Sequence, residues 1–149
     1  MRHTKRIAAP VALVLALLLV GCIKPGANPA VYQTPAQRVA VYNGILAESN
    51  RAATDAAIAL QKSGALTTNQ TLLFLDYTER VATASKAIAV LQQSPADWPT
   101  VAAQIKIVLG SVSPPGNFSG WLAEPQSKAL LDAMTGITGA IQSILEAVK

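Results

Sequence analysis

Cys22 is the single cysteine and His3 the single histidine of this 149-residue chain. A lone thiol can act as a nucleophile or accept a modifying group, but it closes no internal disulfide, so packing must hold the fold. Past Cys22 the chain has neither His nor Cys. That removes the common zinc ligand sets, the His-based triads and the Glu-x-x-His di-metal motif. Carboxylates are what remains for acid–base work. Glu48, Arg51 and Asp55 share a helix face at i, i+3 and i+7, and Asp76 faces Arg80 at i+4. Two such carboxylates could divide the roles of acid and base. Their ordinary role is to support an exposed helix by a few tenths of a kcal/mol. No substrate pocket is evident around them, so no catalytic residue, metal ligand or cofactor is expected, and the chain reads as a non-enzyme.

The chemistry of Cys22 depends on its setting. Arg2, Lys5 and Arg6 precede a run from Ile7 to Val20 in which every residue except Pro10 is aliphatic or alanine. A basic stretch, an apolar core and a small residue before the cut form the pattern of a secretory signal peptide. The apolar core has 14 residues, whereas a membrane-spanning helix needs roughly 20. The closing tetrapeptide Leu19-Val20-Gly21-Cys22 resembles the lipobox of bacterial lipoproteins. The resemblance implies that the Cys22 thiol takes up a diacylglyceryl group. It also implies that a dedicated peptidase cuts between Gly21 and Cys22, and that the new amino group can be acylated in turn, with palmitate among the acyl chains. Ile23 departs from the Asp that resembles an inner-membrane retention signal in enterobacterial sorting. An outer-membrane lipoprotein facing the periplasm is therefore expected. The resemblance covers the first 22 residues and does not extend to the domain behind them.

Cleavage would change the charge balance. Of twelve Lys and Arg, three leave with residues 1–21, so nine basic residues face eight acidic ones and the net charge falls to +1. The basic residues are dispersed, which gives no reason to expect nucleic acid. Residues 22–34, with Lys24, Pro25, Gly26, Asn28 and Pro29 and no apolar period, read as the lipidated N-terminus and a flexible tether. Residues 35–149 read as one helical domain.

The expected fold class is all-α: an up-down antiparallel bundle of about four helices with a short third member. Thr34-Pro35-Ala36-Gln37 has the form of a capping box with Pro at the first helical position. The first helix is expected from Pro35 to Ser63, ending at Gly64, on the seam Val39, Tyr42, Leu46, Ser49, Ala53, Ala56 and Leu60. Thr67-Thr68-Asn69-Gln70 repeats the cap, and so short a connection makes the second helix, to about Gln93, an antiparallel neighbour. Its seam is Phe74, Tyr77, Val81, Ala84, Ile88 and Leu91. A third helix over about Trp98–Ser111 carries Trp98, Val101, Ile105, Val108 and Val112. The fourth starts near Pro125 on the seam Leu130, Met134, Ile137, Ile141, Ile144 and Val148. Heptad-like spacing in all four predicts left-handed bundle packing. Twenty-three alanines from Cys22 onward favour helix and close approach of axes, especially at Ala52-Ala53 and Ala56-Ala57 of the first helix. Phe74, Leu46 and Ile141 are expected to carry the core.

Further candidate contacts have two readings each. Phe118 and Trp121, in a Gly-rich stretch, read as a plug over the notch left by the short third helix, or as an exposed aromatic loop for a partner. Trp98 reads as packing under its turn, or as a ring touching lipid headgroups. Asn43 and Asn50, seven residues apart, read as seam-edge residues or as a buried polar layer that sets register. Lys149, after a helix, resembles the terminal lysine through which the small helical murein lipoprotein joins peptidoglycan. That family is shorter and single-helical, so no peptidoglycan link through Lys149 is expected. Two functions follow. One is a lipid-anchored envelope lipoprotein acting as a non-enzymatic structural or protein-binding module, with an envelope protein as partner and the membrane held through the anchor. The alternative is a helical carrier or inhibitor lipoprotein, of phage origin in one version, that holds an apolar ligand or peptide in a bundle groove.

Overall fold

The computed structural model describes residues 34–116 and 127–149. Gly21, Cys22, residues 23–33 of the expected tether and the Phe118–Leu122 stretch lie outside the described residues. Four helices are seen: α1 (Pro35–Lys62), α2 (Thr68–Gln92), α3 (Trp98–Gly110) and α4 (Lys128–Ala147). No strand occurs among the described residues. The all-α bundle with a short third helix is therefore what the chain forms.

Each of the first three helices starts where a side chain satisfies amides that the helix itself leaves free. At α1, Thr34 Oγ1 accepts from Gln37 N at 3.2 Å while Gln37 Oε1 accepts from Thr34 N at 3.1 Å. At α2 the same box forms between Thr67 and Gln70, at 3.2 and 2.9 Å. At α3, Asp97 Oδ1 accepts from Thr100 N at 3.0 Å. α1 ends in a Schellman motif: Ala65 N donates to Leu60 O and Gly64 N to Gln61 O. Gly64 has φ +78°, a left-handed conformation that a side chain would strain. Leu66 then folds into the core, 3% exposed.

This turn sets the register of the first hairpin. Gln92 Nε2 donates to Ala36 O, Asn43 Nδ2 to Ser85 O and Asn50 Nδ2 to Thr78 O, at 3.0, 3.0 and 2.9 Å. In each pair the two residue numbers sum to 128, twice 64. The helices are antiparallel, their register is centred on Gly64, and the links recur every seven residues along both. That is the spacing of a left-handed supercoil.

α1 is the central helix, with its most extensive interface against α4 and the next against α2, while α3 packs on α2. One hydrophobic core joins all four. A helix with two neighbours buries more than one seam, and α1 buries Val39, Asn43, Leu46, Asn50, Ala53, Ala57 and Leu60. The expected seam was correct at Val39, Leu46, Ala53 and Leu60. At its other positions Tyr42, Ser49 and Ala56 are half-buried, and the adjacent Asn43, Asn50 and Ala57 are buried instead. The stripe 43/50/57 faces α2, and Ser49 on the stripe 42/49/56 faces Gly136 of α4. Helix axes come close there: a Cβ built on Gly136 would stand 2.5 Å from Ser49 Oγ.

The α2 seam is as expected, with Phe74, Tyr77, Val81, Ala84 and Ile88 buried and Leu91 at its edge. Phe74 and Tyr77 meet edge to face with ring centres 6.1 Å apart. Two expectations need correction. In α3, Leu109 is buried and Val108 only half-buried. In α4, Ile141 is half-buried because Ala140 takes the inward position. α4 is seen from Lys128, three residues after the expected start.

Candidate functional site

Besides the exposed Leu72 and Leu73 near the start of α2, the described surface has a feature that neither caps nor core require: the outer seam between α2 and α3. Ala87 of α2 and Gln104 of α3 line the same groove, as do Arg80 and Ser111 further along. This pairing is that of a second antiparallel hairpin turning at Gln93–Asp97. α3 has 13 residues and α2 has 25, about 20 Å against about 38 Å of helix length. α3 therefore covers only the C-terminal half of α2.

The groove has two chemically different halves. The half beside the Gln93–Asp97 turn is apolar, lined by Ala87, Val90, Leu91, Gln104, Ile107 and Val108, with a volume of about 450 Å³. Val90 and Ile107 are 69% and 74% exposed, so this half opens to solvent with aliphatic side chains outward. The other half, about 380 Å³, is lined by Asp76, Glu79, Arg80, Thr83, Ala84 and Ser111 and shares Ala87 and Val108 with the first. Asp76 pairs with Arg80 at 2.7 Å on the exposed surface. Exposed pairs of this kind contribute at most about 1 kcal/mol. The arrangement offers shape, charge and apolar surface for binding. Among the described residues, no group of His, Cys, Asp and Glu is placed to hold a metal ion.

The sequence-derived candidates are scattered relative to this groove. Trp98 is half-buried against the core at the first position of α3, under the turn that joins it to α2. Phe118, Trp121, Gly21 and Cys22 lie outside the described residues. Glu48, Arg51 and Asp55 are all exposed on the outer face of α1 and no described cavity adjoins them. Lys149 is exposed and pairs with Glu146. Asn43 and Asn50 are inside the bundle, 8% and 7% exposed. Each donates to an α2 carbonyl, and neither Oδ1 has a partner among the described residues.

Tyr77 and Asp97 titrate away from their ordinary values. Burial pushes the Tyr77 phenol up, with Arg80 pulling weakly the other way. The hydrogen bond from Thr100 holds the Asp97 carboxyl below the usual carboxylate range. Both shifts belong to structural roles, a core ring and a helix cap.

Sequence reasoning did not single out the groove. Its signal was present as Val90 and Ile107, apolar residues off the α2 and α3 seams, but single exposed aliphatics are ordinary. Only the pairing of the two helices makes them neighbours. No protein-family model, curated protein or solved structure matches this chain.

Proposed function

We propose that this chain is a bacterial envelope lipoprotein, anchored by acyl chains on Cys22 and acting as a non-enzymatic structural or protein-binding module at the periplasmic face of the outer membrane. The observation that carries the reading is Leu19-Val20-Gly21-Cys22 at the close of a basic and then apolar leader. None of the described helices is long and apolar enough to cross a membrane, so retention there would rest on other means. Several acyl chains on one residue exceed the single chain that binds only marginally. The bundle supports a scaffold role, because capped helices, a register held by three side-chain links and closely packed α1 and α4 make a stiff body. A protein partner would meet the polar half of the groove, where Glu79 and the Asp76–Arg80 pair present charge around a concave floor.

The alternative, a carrier or inhibitor lipoprotein, is favoured by one observation, the apolar half of the same groove. Its openness argues against it as a ligand cavity, since sites for small molecules enclose most of the ligand's surface.

The anchor is tested with Cys22→Ser. Wild type should fractionate with membranes and incorporate a fatty-acid analogue, and the variant should do neither. Unchanged fractionation and labelling would defeat the proposal. For the partner, envelopes crosslinked in cells carrying wild type or Glu79→Lys/Arg80→Glu should yield a specific protein with the first and lose it with the second.

A further inference from the structure

The apolar half of the α2/α3 groove runs from the middle of α2 toward the end of the bundle where the tether begins. Gln92, last residue of α2, reaches Ala36 in the first turn of α1. Val90 is two residues before Gln92, and the Gln93–Asp97 turn brings α3 back along the same end. The chain leaves α1 at Thr34, 12 residues after Cys22. Twelve residues span at most about 43 Å when fully extended. An acylated Cys22 therefore keeps Val90 and Ile107 within reach of the bilayer surface.

We propose that this face, with Val90 and Ile107 at its centre, rests on the phospholipid surface that holds the anchor. The inference rests on the lipoprotein reading above. Three observations select lipid over other occupants. First, two basic side chains flank the aliphatics, and the carboxylate at this end, Asp97, is engaged as the N-cap of α3. Lys86 precedes Val90 by one helical turn and Lys106 adjoins Ile107, both exposed and in no ion pair among the described residues. The carboxylates of the groove, Asp76 and Glu79, lie in its other half. Lysines beside aliphatics suit anionic headgroups over acyl chains. Second, Trp98 stands half-buried at the same end, where an amphipathic ring fits the headgroup layer. Third, two exposed aliphatics and a shallow groove make a small patch for a stable protein interface, which buries more than about 1,000 Å². A tethered surface needs less, because the anchor raises the local concentration of the second contact to the millimolar range or so. Docking would orient the bundle on the membrane.

The test couples residues 22–149 through the Cys22 thiol to maleimide-bearing lipid in vesicles of phosphatidylethanolamine and phosphatidylglycerol, so that the anchor is present whether or not cells acylate it. A benzophenone amino acid replaces Ile107 in one sample and Asp55, on the outer face of α1, in another. On illumination, position 107 should crosslink to phospholipid severalfold more than position 55. Val90→Asp in the position-107 sample should remove that excess while the chain stays on the vesicles. Circular dichroism checks that the fold is kept, as expected for two exposed sites. Equal lipid crosslinking at 107 and 55 would overturn docking, and so would predominant crosslinks from 107 to a second copy of the chain. A separate mass measurement on protein from cells reports acylation of Cys22, so failure of the anchor and failure of the docking face are read independently.

Discussion

Asn50→Leu is expected to stabilise this protein although it deletes a buried hydrogen bond. Asn50 is 7% exposed, its Nδ2 donates to Thr78 O at 2.9 Å, and its Oδ1 has no partner among the described residues. The lost bond is worth about 1 kcal/mol net. Its loss does not orphan the Thr78 carbonyl, which lies inside α2 and keeps its own helical acceptor role. On the other side, the substitution removes a buried unpartnered oxygen, worth about 1–3 kcal/mol. It also buries a leucine side chain, worth about 1.5–3 kcal/mol. Refitting the bulkier residue between α1 and α2 costs about 1–3 kcal/mol. The balance is a gain of about 1 kcal/mol, or roughly 4–6 °C in melting temperature for a domain of this size. Urea unfolding followed by far-UV circular dichroism measures it. The midpoint should rise with an unchanged slope, since a changed slope would signal a different denatured or native state. A lower midpoint at constant slope, equivalent to about 1 kcal/mol or more, would refute the reasoning. It would show that the amide is fully satisfied in solution and that the polar link stabilises the fold rather than only setting its register.

Three further outcomes follow from the same geometry. Gly136→Ala should destabilise by about 1 kcal/mol despite the better helix propensity of alanine, because overpacking outweighs it. The new Cβ would stand 2.5 Å from Ser49 Oγ and 3.1 Å from Ser49 Cβ, so a double-mutant cycle with Ser49→Gly should show favourable coupling, and zero coupling would contradict the close approach. Phe74→Ala, at a site 1% exposed, should cost about 3–5 kcal/mol, against less than about 2 kcal/mol for Ile141→Ala at its half-buried site; equal losses in urea melts would refute the assigned burial. Raised pH should weaken the fold through Tyr77. Its folded pKa is above the ordinary value, so its contribution is complete below about pH 10, where the unfolded phenol begins to ionise, and is lost as pH rises through the folded pKa. Tyr77→Phe should flatten this alkaline loss in melting temperature above about pH 10.

Local signals were legible in the residues themselves. Thr34 with Gln37, Thr67 with Gln70, and Asp97 start helices because an oxygen three residues from an amide can reach it whatever the rest of the chain does. Gly64 stops α1 for an equally local reason. The α2 seam was legible too, since its large side chains left one choice of inward face. Alanine-rich α1 did not offer that choice: Ala56 and Ala57 are the same size, Ser49 and Asn50 are both small and polar, and a helix with two partners covers both stripes, one fully and one in part. In α3 and α4, Leu109 and Ala140 turned inward in place of Val108 and Ile141 because the position of the neighbouring helix, rather than hydrophobicity, selected the face.

Residue order alone carries the address chemistry proposed for Cys22, the helices, their ends and the antiparallel turns, because capping, turn geometry and apolar periodicity act over a few residues. The arrangement in space decided the rest. It made α1 the central helix, turned Asn43 and Asn50 into buried register links, and brought Gly136 against Ser49. It also set Val90 beside Ile107 in one exposed groove. Each of these depends on contacts between residues far apart in the chain, whose energies exist only once the helices have docked.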